Sequence, residues 1–228
     1  FDKVNVGGSM DLQAGQAIDV GSAVIGVDGT WVAGTDLTAD EVTTGCNFSG
    51  DAGGTLTIGS VQAGCALQLI SGDSLAFDSL RAGNDIRLTS RRGHVRGRTV
   101  DAGGSLQVGA AQDIGITDAV AGIDITANSG DAQEWGSYRA GRDVRLTAGD
   151  DIVTGSGESG GLQSIISGGS IHFDRIQAGS TATMDAQGGS LTGGTLRAAS
   201  GDLAARDHLS LAQAMVDTRL NLAASDIE

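Results

Sequence analysis

The sequence predicts an all-β fold, a right-handed parallel β-helix built from coils of 19–20 residues. Three observations predict it. An Ala-Gly dipeptide recurs at nearly constant spacing, apolar and polar residues alternate after each copy, and the 228 residues include 38 Gly but no Pro. A fixed period of about 20 residues is typical of a solenoid, and an alternation with period two indicates strands rather than helices.

The first strand of each predicted coil follows the dipeptide. Apolar residues stand four and six positions after the alanine, as Ile86 and Leu88 do after Ala82. Most copies are 19 or 20 residues apart; they are Ala14-Gly15, Ala33-Gly34, Ala63-Gly64, Ala82-Gly83, Ala102-Gly103, Ala121-Gly122, Ala140-Gly141 and Ala178-Gly179, with Ala198-Ala199 as a degenerate copy.

The remaining strands of a coil precede the next dipeptide. Apolar residues stand seven and two positions before the alanine, as Leu75 and Leu80 do before Ala82, whereas position minus five varies from Phe77 to Gly97. So short a unit cannot bury its apolar side chains alone, but stacked coils pair their strands about 4.8 Å apart and bury them together. Parallel crossovers are nearly always right-handed, which sets the expected hand.

Two intervals depart from the period. Ala140 to Ala178 spans 38 residues, which fits two coils with an unmarked start at Ser159-Gly160. Ala33 to Ala63 spans 30, so we expect about 11 extra residues in a loop within 39–51. Apart from that loop, residues 1–228 are predicted to form a single β-helical segment of a longer fibre.

Charge and composition exclude some partners. The formal net charge of −14 argues against nucleic acid, since phosphate binding requires clustered cations. There is no run of about 18 apolar residues, so no membrane insertion is expected. Nothing in the sequence indicates a cofactor.

The repeats resemble those of filamentous haemagglutinin. The resemblance rests on residues 72–88, GDSLAFDSLRAGNDIRL, and 140–152, AGRDVRLTAGDDI, and extends from about residue 7 to 222. It implies a β-helical exoprotein of a two-partner secretion system, exported through an outer-membrane transporter and located outside the cell or on its surface. Adhesins, haemolysins and the stalks of contact-dependent inhibition toxins belong to that group.

A cationic cluster is the candidate ligand-binding site. On an acidic chain it would suit sulfated or sialylated glycans through charge-assisted hydrogen bonds; the alternative is a turn with ordinary surface charges. The cluster comprises Arg87, Arg91, Arg92, His94, Arg96 and Arg98.

The two cysteines have two interpretations. Cys46 lies in the predicted loop and Cys65 in the following coil, so a disulfide would join the loop to the coils. Two unpaired thiols are the other interpretation, favoured if the chain crosses a narrow transporter unfolded. Neither cysteine has a His or Cys at metal-ligand spacing, so no metal site is predicted.

Other candidate residues are expected to be structural. Trp135 and Tyr138 fall at inward positions, and His172 at an outward one between two apolar residues. Asp150-Asp151 is a weak calcium signal, for which exposed carboxylates are the alternative.

Two classes of function remain. The leading interpretation is a non-enzymatic structural and adhesive segment, a rigid spacer with contact to host-cell or neighbouring-cell glycans or receptors. The alternative is a β-helical polysaccharide lyase or hydrolase, which needs carboxylates and a cation converging on one face of adjacent coils. No shared outward column of Asp or Glu with a cation beside it occurs in the sequence, so we predict no catalytic residues.

Overall fold

The computed structural model describes all 228 residues as an all-β parallel β-solenoid of about 12 coils, each of about 19 residues. The predicted fold class, an all-β parallel β-helix, is confirmed. The chain divides into two compact units, Phe1–Ile116 and Thr117–Glu228. No helix in the structure has the length and apolarity needed to cross a membrane.

Strands occupy most of both units. The first unit contains β1 (Lys3–Val6), β2 (Met10–Ala14), β3 (Ile18–Ile25), β4 (Gly29–Ala33), β5 (Leu37–Thr44), β6 (Phe48–Ala52), β7 (Leu56–Ala63), β8 (Leu67–Ser71), β9 (Leu75–Ala82), β10 (Ile86–Ser90), β11 (Val95–Ala102) and β12 (Leu106–Ala110). The division between the units falls within β13 (Ile114–Ala121). The second unit continues with β14 (Ile125–Ser129), β15 (Gln133–Ala140), β16 (Val144–Ala148), β17 (Ile152–Ser159), β18 (Gln163–Ser167), β19 (Ile171–Ala178), β20 (Thr181–Ala186), β21 (Leu191–Ala205), β22 (His208–Ala223) and β23 (Asp226–Ile227).

From β3 to β19, a coil consists of one eight-residue strand, one five-residue strand and two turns. In the coil 56–74 these are β7, a first turn at 64–66, β8 and a second turn at 72–74. The alternation of buried and exposed residues in β7 breaks at Gly59 and Ser60, so the strand bends there and offers two inward-facing segments. Together with β8, each coil therefore has three faces.

Within each unit, strands pair in parallel with their equivalents in neighbouring coils. In the first unit Leu56 lies between Leu37 and Leu75, and all three are fully buried. In the second unit Ile152 and Ile171 are equivalent partners in the same way. Apolar residues therefore form inward columns along each unit, and their burial is the main favourable term in folding.

Glycine begins most turns because the coils approach closely there. A Cβ added to Gly45 or Gly64 would overlap the carbonyl oxygen of the glycine one coil earlier, Gly26 or Gly45. No glycine has positive φ, so the requirement is for space rather than for a special backbone conformation. The same stacking recurs in the second unit from Gly122 to Gly141 to Gly160.

The predicted coil start at Ser159-Gly160 is confirmed, since Ser159 pairs with both Ala140 and Ala178. Four-residue second turns at 91–94 and 187–190 explain the 20-residue intervals. Each is one residue longer than the three-residue second turns such as 72–74 and 111–113.

The predicted loop within 39–51 is wrong. These residues belong to the regular strands β5 and β6 and the turn between them, and they pair with both neighbouring coils. The cause is that Ala33 ends a five-residue strand whereas Ala63 ends an eight-residue strand, so the two alanines lie at different corners. The true equivalent of Ala33 is Ala52, which lies 19 residues later.

Candidate functional site

The predicted cationic cluster is spread around one coil. Arg87 projects from β10, on the face formed by the five-residue strands. Arg91 and Arg92 lie in the four-residue second turn, and Arg96 and Arg98 project from β11. Arg98 stands at the bend of its strand. Sequence neighbours thus point away from different faces, and no single surface presents all of these cations.

Two of the arginines form ion pairs with aspartates of preceding coils. The guanidinium of Arg91 lies 3.3 Å from the carboxylate of Asp51, and Arg92 Nε lies 3.0 Å from Asp73 Oδ1. Arg92 also donates to the carbonyl oxygen of Gly72 at 3.0 Å. Exposed pairs of this kind contribute only about 0–1 kcal/mol each, but they neutralise the charge that the cluster offers to a ligand.

A second acidic residue faces the next two members of the cluster. Asp113 Oδ2 lies 3.0 Å from His94 Nδ1 and 3.8 Å from a guanidinium nitrogen of Arg96. Four of the six predicted residues therefore stand beside carboxylates. Glycan binding by this cluster stays a prediction, and the structure leaves Arg87 and Arg98 as its members without an ion pair.

Arg87 lies in a groove of about 400 Å³ in the first unit. The groove follows the second residues of four stacked strands, Ser49, Gln68, Arg87 and Gln107, which the parallel register places side by side. The coil spacing separates them by about 4.8 Å each. The column thus presents one guanidinium between two primary amides.

The other side of the groove is formed by the last residues of the first turns, among them Asn47, Asp85 and Ser105. These residues are held by bonds between coils. Asn47 Oδ1 accepts from the backbone N–H of Ala66 at 3.2 Å, and Asp85 Oδ1 accepts from that of Ser105 at 2.8 Å. Each side chain therefore satisfies the backbone of the next coil, and the wall is preorganised before any ligand binds.

The same position also bonds to the preceding coil. Asp28 Oδ1 accepts from both the backbone N–H and the side-chain amide of Asn47, each at 3.0 Å. In the second unit, Asp124 Oδ1 accepts from the N–H of Asp143, and Asp143 Oδ1 accepts from that of Leu162. These hydrogen bonds form a ladder that runs from coil to coil along the first turns. The sequence contains a signal for the ladder, because Asp, Asn or Ser recurs at the third residue of many first turns.

A disulfide lies beside the groove. Cys46 and Cys65 are bonded, with their Cα atoms 4.5 Å apart, and they are the middle residues of successive first turns. Of the two interpretations left open by the sequence, the structure contains the paired one. The bond joins two equivalent turns rather than an inserted loop to the coils, and it fixes the turns that carry Asn47 and Ala66.

The inward placement of Trp135 and Tyr138 is confirmed, and both are buried within the second unit. Trp135 Nε1 donates to Gln133 Oε1 at 3.1 Å, and the side-chain amide of Gln163 donates to the Tyr138 hydroxyl. Burial raises the pKa of Tyr138, although its hydrogen bond with Gln163 opposes that shift. These aromatics are part of the core and are not available to stack on a sugar.

The remaining candidates lie apart from the groove. His172 is exposed as expected and stands 3.8 Å from Asp174. Asp151 Oδ1 accepts from the backbone N–H of Ser170, so this carboxylate bonds one second turn to the second turn of the next coil. The structure contains no group of three or more His, Cys, Asp or Glu residues arranged to hold a metal ion.

Comparison of the chain with protein-family models, with curated proteins and with solved structures gives no match.

Proposed function

We propose that the chain is a structural and adhesive segment of a secreted or cell-surface bacterial fibre. In this proposal the solenoid is a rigid spacer whose outer surface contacts glycans or receptors on host or neighbouring cells. The resemblance of its repeats to filamentous haemagglutinin supports export through an outer-membrane transporter of a two-partner secretion system.

The observation that carries the spacer role is the redundancy of bonding between coils. Inward columns are buried, turn glycines stack on one another, and side chains at turn corners accept hydrogen bonds from the next coil. Each coil is thus held by its neighbours along its whole circumference, as repeat proteins require. Such a coil resists stretching because several bonds must break together.

Mechanical stretching tests the spacer role. Held by its two ends in optical tweezers, the chain should keep its folded length as the force rises and then lengthen in discrete steps as groups of coils open. Gradual lengthening from the lowest forces would contradict a rigid spacer. The same chain in a reducing agent is the control for the contribution of the disulfide.

The adhesive role is tested with beads coated with the folded chain. The beads should adhere to mammalian or bacterial cells, and enzymatic removal of cell-surface glycans should release them. Beads coated with heat-denatured chain are the control. Equal adhesion of the two kinds of bead, or none, would contradict an adhesive surface.

The same preparation tests the enzyme alternative. Incubation with acidic and neutral polysaccharides should produce neither new reducing ends nor unsaturated sugar products if the segment is adhesive. Accumulation of either product would replace the proposal by a lyase or a hydrolase.

A further inference from the structure

The groove beside Arg87 places one cation among several neutral hydrogen-bonding groups and a single carboxylate, that of Asp85. Gln68 and Gln107 flank Arg87 in its column, and all three side chains are exposed. The side chain of Arg87 takes part in no ion pair or hydrogen bond within the chain. Its guanidinium donors are therefore available to an external acceptor.

Arg145 occupies the equivalent position in the second unit, where the arginine forms an ion pair. Arg145 follows Asp143 by two residues, as Arg87 follows Asp85, and each aspartate accepts from a backbone N–H of the next coil. Yet Arg145 lies 3.4 Å from Asp143, whereas Arg87 forms no such pair. The two arginines thus share a sequence context but differ in availability.

We infer that this groove binds a glycan bearing a single carboxylated sugar, with Arg87 contacting the carboxylate and Gln68 and Gln107 contacting hydroxyl groups. The planar fork of a guanidinium matches a carboxylate through two parallel hydrogen bonds. A primary amide both donates and accepts, as the hydroxyl groups of a sugar do. The three side chains span roughly 10 Å, two coil spacings, so they suit a short oligosaccharide.

The negative charge of the chain favours a ligand with one acidic group over a ligand with many. A net charge of −14 repels densely charged polyanions, and Asp85 stands in the same groove. A sulfated polysaccharide needs several uncompensated cations in a row, but Arg91, Arg92 and Arg96 are paired with aspartates. A sialylated or uronate-terminated oligosaccharide meets the groove with a single negative charge.

This inference rests on the adhesive part of the proposed function, and its test separates the two. The unmodified chain is titrated by calorimetry with 3′-sialyllactose, with a glucuronic acid-terminated disaccharide and with neutral lactose. We expect binding of at least one acidic probe and at least tenfold weaker binding of lactose, as loss of a charge-assisted hydrogen-bonded pair implies. The two acidic probes distinguish sialic acid from uronic acid as the source of the carboxylate.

Two variants then locate the site. Arg87→Gln should weaken binding of the acidic probe about tenfold or more, whereas the matched variant Arg145→Gln should leave it unchanged. Asp85→Asn keeps an oxygen acceptor for the N–H of Ser105 but removes a nearby negative charge, so it should strengthen binding about threefold. A circular dichroism spectrum of each variant verifies that the strands are retained.

The outcomes are distinct. Equal effects of Arg87→Gln and Arg145→Gln, or stronger binding of a sulfated heparin fragment than of both carboxylated probes, would overturn the inference. If the coated beads adhere to cells but the acidic probes do not bind, the inference fails and the adhesive function stands. If the beads fail to adhere as well, both fail.

Discussion

Phe77 and Gly97 show at the residue scale how one column can accept residues of very different size. Gly97 lies opposite Phe77 in the paired strands, and the phenyl ring fills the space that its missing side chain leaves. Phe173 and Gly193 repeat the arrangement in the second unit. The core keeps its density because a large residue in one coil is compensated by the smallest in the next.

This compensation predicts that Gly97→Ala destabilises the chain. The new Cβ would overlap the ring of Phe77, and overpacking of a buried site costs about 1–3 kcal/mol. Gly109→Ala is the control, because nothing lies within 4 Å of a Cβ added there. Urea denaturation should show a lower midpoint for the first variant only, and adding Phe77→Leu should restore part of the loss.

Acid sensitivity is a second residue-scale property. The hydrogen bond from Arg142 lowers the pKa of Asp124 below its usual 3.8, although burial opposes the shift. A carboxylate with a lowered pKa adds stability that is fully present above 3.8 and is lost as the pH falls through the lower folded value. Asp36, which accepts from the N–H and hydroxyl of Thr55, is shifted in the same direction.

We therefore expect Asp124→Asn to reduce stability at neutral pH by up to about 1 kcal/mol, as for other ion pairs near a protein surface. The difference from the unmodified chain should shrink as the pH falls below 3.8, because Asp124 then becomes protonated in both states. Arg142→Gln should behave alike, and the double variant should lose no more than either single one. Urea midpoints at a series of pH values measure this; a constant difference at every pH would contradict it.

At the scale of strands and turns, the sequence predicted the alternation well and the identity of the corners poorly. Inward residues such as Leu88 and Leu106 are read directly from a period of two, and both are buried. Both corners, however, require a small residue followed by glycine, so Ala52-Gly53 and Ala63-Gly64 look alike although they end different strands. The local sequence therefore shows that a turn begins, but it does not show whether that turn follows the five-residue or the eight-residue strand.

The candidate site was only partly predictable for the same reason. Arg87, Gln68 and Gln107 each stand five positions after an alanine of the repeated dipeptide, which predicts a shared outward column, and the structure contains that column. The sequence could not show that Arg91 reaches Asp51, 40 residues earlier, because that contact depends on the exact stacking of two coils and on a four-residue turn. Charge compensation between coils is a property of the assembled solenoid.

The disulfide is an element-scale constraint whose effect can be measured. It closes a loop across a sequence separation of 19 residues, for which the chain-entropy model gives about 3 kcal/mol. Replacement of both Cys46 and Cys65 by Ala should therefore lower the stability of the first unit by up to that amount. A reducing agent should lower the stability of the unmodified chain equally and leave the variant unchanged. Full stability of the unmodified chain under reduction would contradict the prediction.

At the scale of the whole molecule, each unit carries its own reporter. The chain has two tryptophans, Trp31 buried in the first unit and Trp135 buried in the second. Trp31 packs edge-on against Phe48 at 5.1 Å between ring centroids, and Trp135 packs edge-on against Tyr138 at 6.0 Å. Fluorescence of Trp31→Phe or Trp135→Phe variants therefore follows one unit at a time.

These reporters test how far damage spreads along a solenoid. Leu69 is fully buried in the first unit, so Leu69→Asp places an unpaired charge in a narrow core and should cost several kcal/mol. Gln68→Asp changes the adjacent, exposed position and should cost little. Because stability in stacked repeats is a sum of nearest-neighbour terms, Leu69→Asp should shift the unfolding of Trp31 strongly and that of Trp135 much less. Equal shifts of the two tryptophans would mean that the chain unfolds as one cooperative body, and equal shifts for Leu69→Asp and Gln68→Asp would contradict the assigned register.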